Sequence, residues 1–278
     1  DVINEKYKEF GNPGNEFTKI MILQENIYGV DLDEQAVEIA RLNLLINTLE
    51  TRMKLPKLDK NIKNGNSLIS GSDEDLEKHF GKNYRDKKPF NWQEEFPEVF
   101  KQGGFDVIIG NPPYIFARGG SFNEEEKKYY YSQYPIQQYQ INTFSLFIEL
   151  AYNLLKQRGY FGFIIPNNWL TINSFSKLRE FLLKNTGQLN IINSIDTVFG
   201  QASVDTCILL FQKAKPDMVK LGELKDGQIS FLREHKPEEF LKHDFILKIV
   251  SAPRDKDKTF DKIFSKCFSL DEIAEVKS

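Results

Sequence analysis

One stretch limits what this chain can fold into more than any other: Phe105-Asp106-Val107-Ile108-Ile109-Gly110-Asn111-Pro112-Pro113-Tyr114, with Gly103 and Gly104 before it. Phe105 to Ile109 is short, apolar and rich in β-branched residues, as in a strand buried inside a parallel sheet. The two prolines end it, because each lacks an N–H and fixes φ. They make a stiff loop at the carboxyl end of a strand, where open α/β sheets hold their ligands. The expectation is an interior strand whose loop holds a base for chemistry.

The rest of the chain supplies a sheet for that strand. A weakly apolar stretch at 20–23 suits the end of a helix. Ile27 to Asp31 predicts a strand, Asp33 an N-cap, and residues 34–49 a helix with Val37, Ala40 and Leu44 on one face. Residues 61–66 predict a short strand ending in Gly65-Asn66-Ser67. Gly71 to Gln102 is polar and reads as a surface excursion with short helices around Asp73–Phe80 and Trp92–Lys101. Residues 115–141 are rich in glycine, tyrosine and glutamine, too polar for core. They read as a mobile active-site loop, or as a solvated helix from Glu124 to Tyr131. An amphipathic helix is expected over 143–157, a strand over 160–165, a helix over 174–185, and strands over 189–195 and 204–211. The last two are separated by a tight connection through Gly200 and should pair antiparallel. The sum is an open, mostly parallel α/β sheet with one reversed strand near its edge. Residues 1–213 would form this domain, and 214–278, with its run Arg254-Asp255-Lys256-Asp257-Lys258, a linker and the start of another module.

Composition excludes several classes. No run is long enough to span a membrane and no signal peptide is visible. Two cysteines, Cys207 and Cys267, are too few and too scattered for a zinc site or a disulfide framework, so a reducing cytoplasm is the default. Cys207 lies in an apolar run and reads as core. Net charge is −3, from 37 Lys+Arg against 40 Asp+Glu, which is not the balance of a dedicated nucleic-acid module but says little about a local cleft.

Three loops carry candidate chemistry. Asp31 ends an early strand, where a carboxylate can accept hydrogen bonds from both hydroxyls of a ribose. A solvated loop explains it too. Asn66 could address an adenine edge, and an Asn-Gly turn bonded to itself explains it equally well. Asn111-Pro112-Pro113-Tyr114 is more specific. An exocyclic amine on a heteroaromatic ring is a poor nucleophile, because its lone pair is delocalised. Acceptors on both N–H bonds, the Asn111 side-chain carbonyl and the Pro112 main-chain carbonyl, would hold it and favour localisation of the pair. Tyr114 can stack on the base. No metal is required.

These residues resemble a known signature. Asn-Pro-Pro-Tyr after an apolar strand looks like that of S-adenosylmethionine-dependent amino-methyltransferases. Ile27-Tyr28-Gly29-Val30-Asp31 with the following helix, Asn64-Gly65-Asn66-Ser67-Leu68, Phe163-Ile164-Ile165-Pro166-Asn167, and Val198-Phe199 before Val204-Asp205-Thr206 resemble further motifs of DNA adenine-N6 methyltransferases. The pattern is most similar to the gamma type and to the methylase part of type IIG restriction-modification enzymes, over about residues 20–213. The resemblance implies a Rossmann-like methyltransferase sheet, S-adenosylmethionine as cofactor, double-stranded DNA as partner and a flipped adenine as target. It implies that Asp31 binds the cofactor ribose and Asn66 lies near the cofactor adenine, where many relatives carry Asp. Asn111 and Pro112 would hold the target amine, Tyr114 and Phe199 would sandwich the base, and Asn167 would shape the wall beside it.

One departure stands out. The family's glycine-rich loop should precede the Asp31 strand, and Gly11-Asn12-Pro13-Gly14-Asn15 is a poor substitute for it. The expectation is an excised fragment whose first strand and loop lie outside this sequence, with weak cofactor binding by itself. A target-recognition domain would begin near 266–278, and no nuclease motif is visible. Two alternatives remain: methylation of a protein glutamine or a ribosomal RNA guanine, and a non-catalytic DNA-binding or scaffold part of a restriction enzyme.

Overall fold

The computed structural model describes residues 16–46, 57–116, 121–194, 205–240 and 245–247. Their strands form two sheets. The smaller pairs β1 (Gly29–Asp31) in parallel with β2 (Ile62–Asn64), with Asp31 opposite Asn64. Helix α1 (Glu16–Glu25) precedes β1, and α2 (Glu34–Ile46) follows it. The Asp33 carboxylate accepts the Gln35 N–H at 2.9 Å, so it caps α2 as expected. Leu23, Val37, Leu58 and Ile62 form a small core under this unit.

The larger sheet is built from β3 (Phe105–Gly110), β4 (Leu155–Pro166), β5 (Gly187–Ser194), β6 (Thr206–Gln212), β7 (Val219–Lys225) and β8 (Gln228–His235). Their spatial order is β3-β4-β6-β5-β7-β8. β3 and β4 are parallel, as are β5 and β7, while β6 runs against both its neighbours. The expected reversed strand is therefore β6, but it lies inside the sheet, and a second reversed strand, β8, forms the edge.

Helix α7 (Thr143–Leu154) and helix α8 (Ser176–Asn185) supply the apolar cover. Phe144, Ile148 and Ala151 of α7 and Leu178, Leu182 and Leu183 of α8 join Phe161, Ile165, Ile191, Leu209 and Leu221 of the sheet in one core. Each of these Leu, Ile and Phe side chains contributes about 1.5–3 kcal/mol by leaving water. Helix α7 stops three residues earlier than the sequence suggests, because Leu155 already pairs with Phe105. Gly104 makes that junction possible. Its φ is +120°, and a Cβ there would lie 2.4 Å from the Leu154 carbonyl oxygen.

Four expectations change. β3 is not interior among the described residues: Val107 is 55% and Ile109 79% exposed, along an edge with no partner strand there. The polar tract 71–102 is not an excursion. It folds into α3 (Asp73–Phe80), α4 (Trp92–Glu95) and α5 (Pro97–Lys101), and buries Leu76, Phe80, Phe90, Phe96 and Val99. Pro97 at the first position of α5 explains why one expected helix is two. Residues 124–133 form α6 (Glu124–Gln133), opened by a capping box between Asn123 and Glu126, and bury Tyr129 and Tyr130. A tyrosine-rich tract looks polar by composition, yet each ring buries a large apolar face. Finally, the sheet crosses the boundary expected after residue 213, since β7 pairs in register with β5.

Candidate active site at the strand ends

The carboxyl ends of β3 and β4 lie side by side, because Gly110 pairs with Phe163 in a parallel ladder. Asn111 leaves β3 there, and Asn167 follows Pro166 at the end of β4. Asn111 is exposed and Pro112 is buried. The loop is held from outside its own strand. Thr143, the first residue of α7, donates its hydroxyl to the Pro113 carbonyl and accepts the Ile115 N–H at 2.9 Å. Its own N–H donates to the Ile115 carbonyl at 3.0 Å, and Phe116 bridges Asn142. Two segments about thirty residues apart therefore fix the geometry of the Asn-Pro-Pro-Tyr loop.

The Tyr114 hydroxyl has two acceptors within reach, Asn111 Oδ1 at 2.8 Å and the Ile164 carbonyl at 3.1 Å, and one proton to give. Donation to Asn111 turns the amide so that its oxygen, not its nitrogen, is fixed on that side. The second lone pair of that oxygen stays open to another donor. Burial raises the Tyr114 phenol above its ordinary pKa, with nearby Cys207 adding to the shift, so it stays a donor at neutral pH. Cys207 is buried core, as expected, and burial pushes its thiol up to about 12.

Asn167 does not point freely at this loop. Its Nδ2 donates to Asn193 Oδ1 at 2.9 Å, and its N–H to the Asp205 carbonyl at 3.0 Å. It ties the end of β4 to β5. Arg179, fully buried in α8, donates to the carbonyls of Trp169 and Ile172 at 2.6 and 2.7 Å and shapes the segment after it.

Asp31 and Asn66 lie together at the carboxyl end of the small sheet, and their side-chain bonds are local, although the Asn66 N–H donates to the Lys88 carbonyl at 2.6 Å. Asp31 Oδ1 accepts the Asp33 N–H at 2.8 Å. Asn66 Oδ1 accepts the Leu68 N–H at 3.1 Å, the self-bonded turn that the sequence allows. Asn64 Nδ2 braces the Asp31 loop through the carbonyls of Asp31 and Leu32. Asp31 is exposed, and no donor among the described residues reaches its second carboxylate oxygen. Phe199 lies outside the described residues. A cleft of about 820 Å³, lined by Tyr28, Lys63, Glu98, Phe105, Asp106 and Val107, opens at the amino ends of β1 and β3. It is at the opposite end of these strands from Asp31 and Asn111, so it is not the site described above.

Thr143 and the Ile164 carbonyl are the functional contacts that the sequence does not reveal. A threonine at the start of a helix looks like a terminus signal, and a main-chain acceptor leaves no trace in composition.

Comparison with known proteins gives the arrangement a family. The family described as Eco57I restriction-modification methylase matches residues 25–199. The type II restriction enzyme and methyltransferase RM.Eco57I of Escherichia coli is 33% identical over 227 residues, which cover 77% of this chain and 21% of that protein. The adenine-specific methyltransferase BrxX, also of Escherichia coli, is 28% identical over 99 residues, covering 36% of this chain and 8% of that protein. This chain thus spans about a fifth, or less, of the length of these relatives. Among solved structures, the type ISP restriction-modification enzyme LlaGI, in complex with a DNA substrate mimic, superimposes with a TM-score of 0.58. It is 15% identical, and the match covers 80% of this chain and 20% of that one, which shows a shared fold.

Proposed function

The chain belongs to the Eco57I restriction-modification methylase family, and from that premise we propose that it transfers a methyl group from S-adenosylmethionine to the N6 amine of an adenine extruded from duplex DNA. The observation that carries this reading is the Asn111 loop. It offers an exposed amide oxygen whose orientation is fixed by Tyr114, on a loop clamped by Thr143. That is what an amine needs to be held at one angle, and holding reactants in line is worth several orders of magnitude in rate. The names of RM.Eco57I and BrxX point the same way, toward restriction-modification and adenine.

In this reading Asn111 Oδ1 and the Pro112 carbonyl accept the two N–H bonds of the target amine. The Tyr114 ring stacks on the base, with Phe199 as its partner on the other face. Asn167 acts indirectly, by fixing the wall after β4 through Asn193. The open Asp31 oxygen takes the cofactor ribose and Asn66 the neighbourhood of its adenine. S-adenosylmethionine, when bound, supplies the methyl group. The amine becomes acidic once alkylated, so its proton passes to solvent without a strong base among these residues. Duplex DNA in the cytoplasm is the partner, with nuclease and target-recognition modules as companions, after the pairing of activities in the name of RM.Eco57I.

The test is direct. The full-length protein is incubated with isotopically methyl-labelled S-adenosylmethionine and unmethylated plasmid DNA, and the hydrolysed nucleosides are separated by mass. N6-methyladenine is expected. Label found only in protein or RNA, or only as N4-methylcytosine, overturns the assignment.

A further inference from the structure

Tyr139 breaks two rules at once. Its ring is 80% exposed, and its φ is +51°, a left-handed backbone that bulky residues seldom adopt. Glycine would take that turn at no steric cost, so turn geometry alone does not call for a tyrosine. A strained residue persists only where its surroundings fix it, and here the backbone is anchored on both sides. Gln137 bonds with Ser145 and Glu149 inside the protein. Gln138 accepts from the Ser176 hydroxyl and the Lys177 N–H at 3.0 and 2.9 Å. The Tyr139 carbonyl accepts from the Tyr131 hydroxyl at 2.8 Å. Asn142 bridges Phe116, directly after the Asn-Pro-Pro-Tyr loop.

These anchors locate the segment. One end is bridged to Phe116, two residues past Tyr114, and its middle to the start of α8, which follows the β4 wall. Tyr139 therefore stands on the rim that joins the two sides of the candidate site, its backbone held from within and its ring in solvent.

We propose that Tyr139 stacks on a base of the duplex beside the target and holds the helix open once the adenine has left it. This rests on the reading of the protein as a DNA adenine methyltransferase. The chemistry is that of an aromatic platform: every base has a π-face, and a backbone already fixed leaves only the two side-chain torsions to order on stacking. Inserted side chains commonly support unstacked steps in this way.

The test begins by mapping the methylated adenine in DNA treated with the full-length protein, then placing 2-aminopurine at that position in a short duplex. Y139A should lower both the fluorescence rise on binding and the methylation rate on a paired duplex by about tenfold. The loss should largely disappear when the target lies opposite an abasic site, where extrusion costs less. Y139F should behave as wild type, since it keeps the ring. Y139G should be as defective as Y139A with no loss of thermal stability, because it relieves the backbone. Y139A that methylates paired DNA at the wild-type rate overturns the proposal, as does an equal loss on paired and abasic duplexes, or a Y139F defect as deep as that of Y139A. A wild-type protein that leaves duplex DNA unmodified overturns the methyltransferase reading as well, which separates the two failures.

Discussion

The Asn111 loop and the Asp31–Asn66 pair use the same position, the carboxyl end of a parallel strand, but they rest on different supports. The Asn111 loop is fixed by a distant residue, Thr143 of α7, through the Pro113 carbonyl and the Ile115 N–H and carbonyl. Its strand is tied to the large core through β4. The Asp31 and Asn66 side chains bond to N–H groups two positions away, while their backbones are tied to Gly65 and Lys88, beside three-residue strands over a four-residue core. A loop clamped by remote elements keeps its geometry whatever binds to it. A loop over a small core has less behind it, and the Asp31 and Asn66 side chains are already partly satisfied by their own turns. The first arrangement suits the reacting centre, where an error of an ångström is costly. The second suits a grip on a ligand's periphery.

The largest expected effect follows from that division. Asn111→Ala should lower the methylation rate about 10²- to 10³-fold, the usual cost of one preorganised polar contact at a reacting centre. Its thermal midpoint and DNA affinity should stay near wild type, because the side chain is exposed and supports no core. Asp31→Ala should instead raise the apparent Kd for S-adenosylmethionine about 10- to 100-fold, as expected for a lost charged hydrogen bond. The rate at saturating cofactor should change less than about twofold. Titration calorimetry with single-turnover kinetics separates the two, and a rate loss in Asp31→Ala that saturation cannot repair would break the comparison.

The legible part of this molecule is what local chemistry dictates. The prolines after an apolar run placed Asn111 at a strand end, and Asp33 as a cap placed the start of α2. Spacing between the two late strands predicted that β5 and β6 are antiparallel, and they are. What stayed hidden depends on neighbours remote in sequence. Nothing inside Phe105–Ile109 says whether a strand lies on each side, and among the described residues only β4 pairs with it. The charges of 73–79 masked Leu76 and Phe80, although their four-residue spacing is the mark of a buried helical face. The alternation of Val219 and Leu221, both buried, was outweighed by the lysines around it. Thr143 carried no signal, because its partners lie about thirty residues upstream.

Thr143→Val tests whether that clamp matters. It keeps the shape and removes the hydroxyl, leaving the Ile115 N–H without its acceptor. Stability should fall by about 1–2 kcal/mol, read from denaturant unfolding, with a rate loss of about tenfold and little change in KM. Thr143→Ser should restore both, since it returns the oxygen. A valine variant with full activity would mean that the prolines alone stiffen the loop.

The smallest effect lies in the support behind the clamp. Glu149 of α7 is buried among Gln137, Ser145, Tyr134 and the Ile136 N–H, and burial raises its carboxyl to about 7, partly offset by the hydrogen bonds from Gln137 and Ile136. Tyr134, itself buried, is pushed well above its usual pKa, so it stays neutral beside it. A carboxyl raised in the folded state holds its proton where the unfolded chain has lost it. The folded form therefore binds more protons between about 4.5 and 7, and stability should fall as pH rises through that window and level off above it. The drop should be about 2 kcal/mol, less than the full shift implies, because solvent screens part of it. Glu149→Gln, neutral at every pH, should flatten this slope and leave the protein more stable than wild type at pH 8. Below about pH 4, under the unfolded carboxyl's own range, the two should unfold together. An unchanged slope in Glu149→Gln would move the source of the pH dependence elsewhere. It would also leave the Gln137–Ser145–Glu149 cluster as a shape constraint on the Tyr139 segment, with no electrostatic part in holding it.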